Sequence, residues 1–122
     1  MANDFKRFVK KDIGTGEGAS GSTVYQVPSS SSTAMESIVI GITIANKSTA
    51  GITCDVFLDA KEGATSDVYI VKDASIPAGS SLEVMSGNKL VLQGDGTDND
   101  IIKMTSSTAS AADGIVSVLE DV

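Results

Sequence analysis

The chain has no histidine, no tryptophan, one cysteine and two prolines. Without histidine there is no commonest general base, no commonest metal ligand and no Ser-His or Cys-His nucleophile pair. A lone thiol, Cys54, can neither close an internal disulfide nor build a cysteine cluster for zinc. Its position in an apolar alternation marks it as a small core residue. Aromatics make up only 4% of the chain, so the core has to be built from Ile, Val, Leu and Ala. The same scarcity removes the aromatic platforms of a sugar-cleaving cleft; Tyr25 and Tyr69 lie inside apparent strands and are expected to pack at the core edge. The start, "MANDFKRFVKKDIG", lacks the apolar region of a signal peptide. No run approaches the roughly 18 apolar residues of a membrane helix, and synthesis and residence in a cytoplasmic compartment are expected. Asn46-Lys47-Ser48 matches a glycosylation acceptor but carries little weight without a secretion signal.

Negative charge dominates, but unevenly. The net charge is −7; residues 1–11 hold Lys6, Arg7, Lys10 and Lys11 against Asp4, a local +3, and the remainder holds five lysines against fifteen acids. An acidic body repels DNA and anionic lipid, so neither nucleic acid nor membrane is an expected partner. The basic segment has two readings. It is an arm that reaches an acidic neighbour, another copy included, or an edge strand kept from aggregation by its lysines. Lys6, Arg7, Lys10 and Lys11 are therefore the candidate partner-binding residues.

What is present in abundance is a period of two. Ile38, Ile40, Ile42 and Ile44 alternate with Val39, Gly41, Thr43 and Ala45; Ile52, Cys54, Val56 and Leu58 alternate with Thr53, Asp55, Phe57 and Asp59. Each run predicts a strand with one face in a core. The intervening "NKSTAG" supplies turn residues and predicts an antiparallel hairpin. "STVYQVP" and "DVYIVKDASIP" are strands stopped by Pro28 and Pro77. "SLEVM" and "NKLVLQ" are expected to form a second hairpin through Ser86-Gly87-Asn88. "DIIKMTSS" and "GIVSVLED" complete the set, with "DFKRFVKK" as a weaker strand; "STASAAD" fits a loop or a helical turn. Seven to nine short strands jointed by Gly, Pro, Ser and Asn predict an all-β antiparallel sandwich, immunoglobulin-like or jelly-roll-like. Residues 1–21 form the basic arm or edge strand with its glycine-rich loop, and 22–122 a single sandwich domain.

Chemistry is sparse. The glycines of "GTGEGASG" are not followed by the Lys-Ser/Thr pair of a phosphate-binding loop. In "GDGTDNDI" the carboxylates of Asp95, Asp98 and Asp100 make a weak calcium candidate, since calcium takes six to eight oxygens. The spacing does not match an EF-hand, and such a loop also serves as a solvated turn. No cofactor is expected, and an enzyme is not expected.

The succession "STVYQVP", "IVIGITIANKSTAGITCDVFL", "DVYIVKDASIPAGSSLEVM", "NKLVLQGDG" and "IIKMTSSTASAADGIVSVLED" resembles the small all-β structural proteins encoded among the virion genes of tailed bacteriophages. The similarity runs over nearly the whole chain, and "YIVKDASIPAGSSLEV" and "ADGIVSVLE" carry it most. It implies a virion protein made in the bacterial cytoplasm, with the major capsid protein, neck or tail proteins, or other copies of itself as partners. Capsid decoration is the first expectation and a ring at the neck or tail the second. A glycan- or receptor-binding module of a fibre is the third.

Overall fold

The computed structural model describes residues 3–16, 20–28, 35–59, 67–85, 89–94 and 99–121. They form nine strands: β1 (Asn3–Lys10), β2 (Ser22–Gln26), β3 (Met35–Asn46), β4 (Ile52–Asp59), β5 (Asp67–Ile76), β6 (Ser81–Glu83), β7 (Leu90–Gly94), β8 (Ile101–Ser106) and β9 (Ala112–Asp121). Two antiparallel sheets pack as a sandwich. Sheet A runs β1-β9-β3, with β6 and β7 both on the far edge of β3; sheet B runs β2-β8-β4-β5. The expected all-β sandwich is therefore what the chain adopts.

The wiring separates the two expected variants. β1 pairs with β9, β2 with β8, β3 with β6 and β7, and β4 with β5. These are the rungs of one long hairpin whose tip lies between β4 and β5, rolled so that successive rungs fall in alternate sheets. With β6 and β7 counted as one interrupted strand, this is the eight-strand jelly roll.

Two hairpin expectations are corrected by this wiring. β3 and β4 lie in different sheets, so "NKSTAG" is an arch that crosses the core instead of a hairpin turn. Both strands carry their apolar stripes toward the same core, and facing each other across it buries both stripes. The reason the arch holds is Asn46, which is buried. Its Nδ2 donates to the carbonyls of Ala50 (2.8 Å) and Ile76 (3.0 Å), and its Oδ1 accepts from the Ser48 amide (2.9 Å) and hydroxyl (2.7 Å). The glycosylation match at this position is thus a structural joint. Likewise β6 and β7 do not pair with each other. They lie end to end along β3, Leu82 opposite Ile44 and Val91 opposite Ile38, and the Ser86-Gly87-Asn88 turn lies outside the described residues.

A third correction concerns the isoleucine alternation. The β3–β9 register slips between Val39 and Gly41, a bulge centred on Ile40. One extra residue reverses the alternation. Ile42 and Ile44 face the core as expected, but Val39 and Ser37 are buried in the N-terminal half, while Ile40 is exposed. In β4, Ile52, Cys54 and Val56 line the core, and Asp55 and Phe57 on the opposite face are buried as well. The core is aliphatic, with Ile13, Val39, Ile42, Ile44, Val56, Leu92, Ile102, Met104, Val116 and Val118 at its centre. "STASAAD" takes the loop form: Ser107–Ala111 crosses from sheet B to sheet A, with Ser110 in the left-handed region at φ 60°.

Asn46→Asp keeps the acceptor for Ser48 but has no donor for the two carbonyls. Stranding the buried Ile76 carbonyl, with the part-buried Ala50 carbonyl left to water, is expected to cost about 1–3 kcal/mol, measurable as a fall in the urea midpoint at unchanged m-value.

Candidate interaction surface

β1 decides how the basic residues are presented. It pairs with β9 along its whole length, Asn3 opposite Asp121 through Lys10 opposite Gly114, and its other edge ends sheet A. Residues 3–10 are thus an edge strand of sheet A. Strand alternation then splits the four cations. Lys6 and Phe8 point to the sandwich interior, Phe5, Arg7 and Val9 to the outside of sheet A, and Lys10 and Lys11 sit exposed where the strand ends.

Lys6 is engaged within the molecule. Its Nζ lies 2.9 Å from Oε1 of Glu120, a carboxylate with no solvent exposure, while the lysine itself keeps 44% of its side-chain surface in water. The Tyr25 hydroxyl donates to the other oxygen, Oε2, at 2.6 Å and also lies 2.6 Å from the Ser37 hydroxyl. Burial, followed by the Glu120 carboxylate, pushes the Tyr25 phenol well above its ordinary pKa, with the Ser37 contact opposing. The Tyr25 ring meets Phe8, centroids 4.6 Å apart. One buried acid therefore ties β1, β2, β3 and β9 together. The chain spends this constellation on holding its edge strand, and sequence spacing did not reveal it because Tyr25 and Glu120 are 95 residues apart.

The segment after β1 is stitched down in turn. Ile13 is buried, its amide donating to the Ala112 carbonyl at 2.8 Å. The Asp12 amide donates to Asp113 Oδ1 at 2.9 Å, and Lys47 bridges Asp12 and Asp113. The Asp12 amide bond and Lys47 hold the Asp113 carboxyl below the usual range. Its stabilising share is thus present above the unfolded-state pKa of about 4 and is lost as the pH falls through the lower folded value.

Outside sheet A, beside the polar Arg7, Ser117 and Thr43, apolar side chains line up. Phe5, Leu119, Ile38 and Val91 stand opposite one another in one row across β1, β9, β3 and β7. Val9 faces Ile115 in a second row, and Ile40 at the bulge adds to them. Phe5 is 78% exposed, Val9 64% and Val91 53%. A hollow of about 280 Å³ beside Val9 is lined by Val9, Lys10, Lys11, Asp113, Gly114 and Ile115.

Sheet B is different. On its outer side Phe57 is buried against Tyr69, centroids 5.4 Å apart, and Lys72 lies over the Tyr69 ring. Lys103, also buried, pairs with Asp59 at 3.2 Å. A polar cleft of about 160 Å³ includes Thr15, Thr53, Asp55, Asp73, Thr105 and Ser107. Asp55 accepts from the Asp73 amide at 2.7 Å, which holds Asp73 in its left-handed conformation at φ 52°.

Of the calcium candidates, Asp95 and Asp98 lie outside the described residues. Asp100 is buried, and its Oδ2 accepts from the Gln93 amide at 2.8 Å, closing the β7–β8 connection. Among the described residues no three acidic, histidine or cysteine side chains gather as a metal site. Cys54 is a buried free thiol whose pKa burial raises to about 11. No protein-family model matches the chain, and no curated protein is significantly similar to it.

Two outcomes are expected. Lys6→Met leaves the buried Glu120 charge without its cation and costs about 1–2 kcal/mol, between the values for exposed and fully buried pairs because Lys6 is half in water; combining it with Glu120→Gln recovers part of that loss in a double-mutant cycle. Cys54 is unreactive toward a thiol reagent at pH 8 in the native protein and reacts fully once urea unfolds it.

Proposed function

We propose that the protein is a structural subunit of a tailed-bacteriophage virion, a decoration or cement protein that binds the outer capsid surface. The supporting observation is the cation-bearing edge strand β1, open among the described residues, on an acidic jelly-roll body. An unpaired strand edge offers main-chain groups to a neighbouring chain, and charge of one sign beside it sets which neighbour is accepted. The polar constellations found among the described residues hold strands and joints together, so the chain's chemistry is directed at its own shape. Jelly rolls also recur in viral capsid domains, an analogy of fold that raises this reading without carrying it. Catalysis forms no part of the proposal.

A ring at the neck or tail junction is the rival, and it draws on a second feature. Sheet B ends in β5, another open edge, so one copy has edges on opposite sides with which to meet two neighbours.

Copy number decides between them. Quantitative mass spectrometry of purified virions against the major capsid protein is expected to give a near-stoichiometric ratio for decoration, on the order of hundreds of copies. A count of about six to a few dozen moves the protein to the neck or tail. Absence from the particle overturns the virion reading.

A further inference from the structure

The outer face of sheet A gathers most of the exposed apolar side chains among the described residues. Of the seven large hydrophobic residues exposed among the described residues, five lie on it: Phe5, Val9, Ile40, Val91 and Ile115. An isolated exposed apolar residue is ordinary, but a row running the full width of a sheet is the signature of a covered face. We infer that this face is covered by the same face of a second copy of the chain, in a two-fold pair. The inference stands on the surface alone and requires nothing of the virion reading.

Size and charge both select a second copy. With strands about 4.8 Å apart and residues about 3.3 Å apart along them, four strands of about ten residues present about 600 Å² per copy. A pair then buries about 1,200 Å², inside the range of specific, stable interfaces.

The charges at the two sides of the face are of opposite sign. On the β1 side stand Arg7, Lys10 and Lys11, the last two lining the hollow beside Val9. On the other side stands Glu83 of β6, in the same row as Thr43 of β3 and Ile115 of β9, the row that ends in Val9. Glu36 lies further along β3, and Lys89, just before β7, is the cation on that side.

A two-fold axis parallel to the strands carries the β1 side of one copy over the β6 side of the other. Glu83 of the partner subunit then arrives above Val9, at the hollow bordered by Lys10, Lys11 and Asp113, whose carboxylate is already paired with Lys47. A two-fold axis across the strands would instead stack β1 on β1 and set like charges together. Like charges repel, so the first arrangement is the one the sequence favours.

Sedimentation equilibrium of the full chain over a micromolar range tests this. Twice the chain mass is expected. Val91→Lys, and independently Phe5→Lys, are expected to weaken association at least about tenfold, with thermal unfolding showing that each variant is folded. Val68→Lys on β5, a residue as exposed as Val91 but in sheet B, leaves association unchanged. Glu83→Lys weakens association several-fold at low salt, and the difference disappears at high salt, where charges are screened. A monomeric wild type overturns the inference, as does association insensitive to both Val91→Lys and Phe5→Lys. Equal sensitivity to Val68→Lys, or no effect of Glu83→Lys at low salt, overturns it too.

Discussion

A hairpin rolled into two sheets has to cross its own core at nearly every connection, and each crossing takes main-chain groups out of reach of a sheet ladder. Most of the chain's polar chemistry answers that constraint. Asn46 fills the arch between β3 and β4 with four hydrogen bonds. Asp12, Lys47 and Asp113 tie the exit of β1 to the entry of β9. Asp100 closes the passage from β7 to β8. Because buried main-chain groups must be paired, these side chains are as necessary to the fold as the aliphatic core between the sheets. A core short of aromatics leaves little surplus to cover a badly made joint.

The same economy explains Glu120. A carboxylate fully removed from water is costly unless it is partnered, and here a phenol donates to Oε2 and an ammonium from another strand stands as an ion pair 2.9 Å from Oε1. The acid fixes the position of β1 relative to three strands at once. It also withdraws Lys6 from the group of cations that the local charge count would place together at the surface. The basic segment is thus part structural and part presented, and strand alternation draws the line between the two.

Strand positions were legible in the sequence because a half-buried strand writes its period directly: the strands "STVYQ", "ITCDVFLD" and "IIKMTS" each fall within a run whose alternation marks it. Pairing was not legible. An arch and a hairpin use the same turn residues, so "NKSTAG" carries no mark of whether β4 lies beside β3 or across from it. The β6–β7 arrangement was hidden for the same reason, since end-to-end segments and a hairpin both read as two short strands with a turn between them. The presence of the core face of β3 was readable, but its parity was not, because apolar residues stand on both sides of the bulge. Glu120, near the end of an alternating strand, reads like any solvent-facing acid. Only the fold brings Tyr25 to it.

The bulge at Ile40 sets more than the shape of β3. Side chains on a strand alternate strictly, so one inserted residue exchanges inside for outside over everything beyond it. Here the exchange leaves Ile38 and Ile40 on the outer side and Val39 in the core. Which side chains this half of β3 offers to the outer face is therefore decided by a count of residues and not by their kinds. Removing Ile40 would restore unbroken alternation with Val39 still inside and Ile38 still outside; it is the extra residue alone that keeps the four alternating isoleucines from all lying in the core.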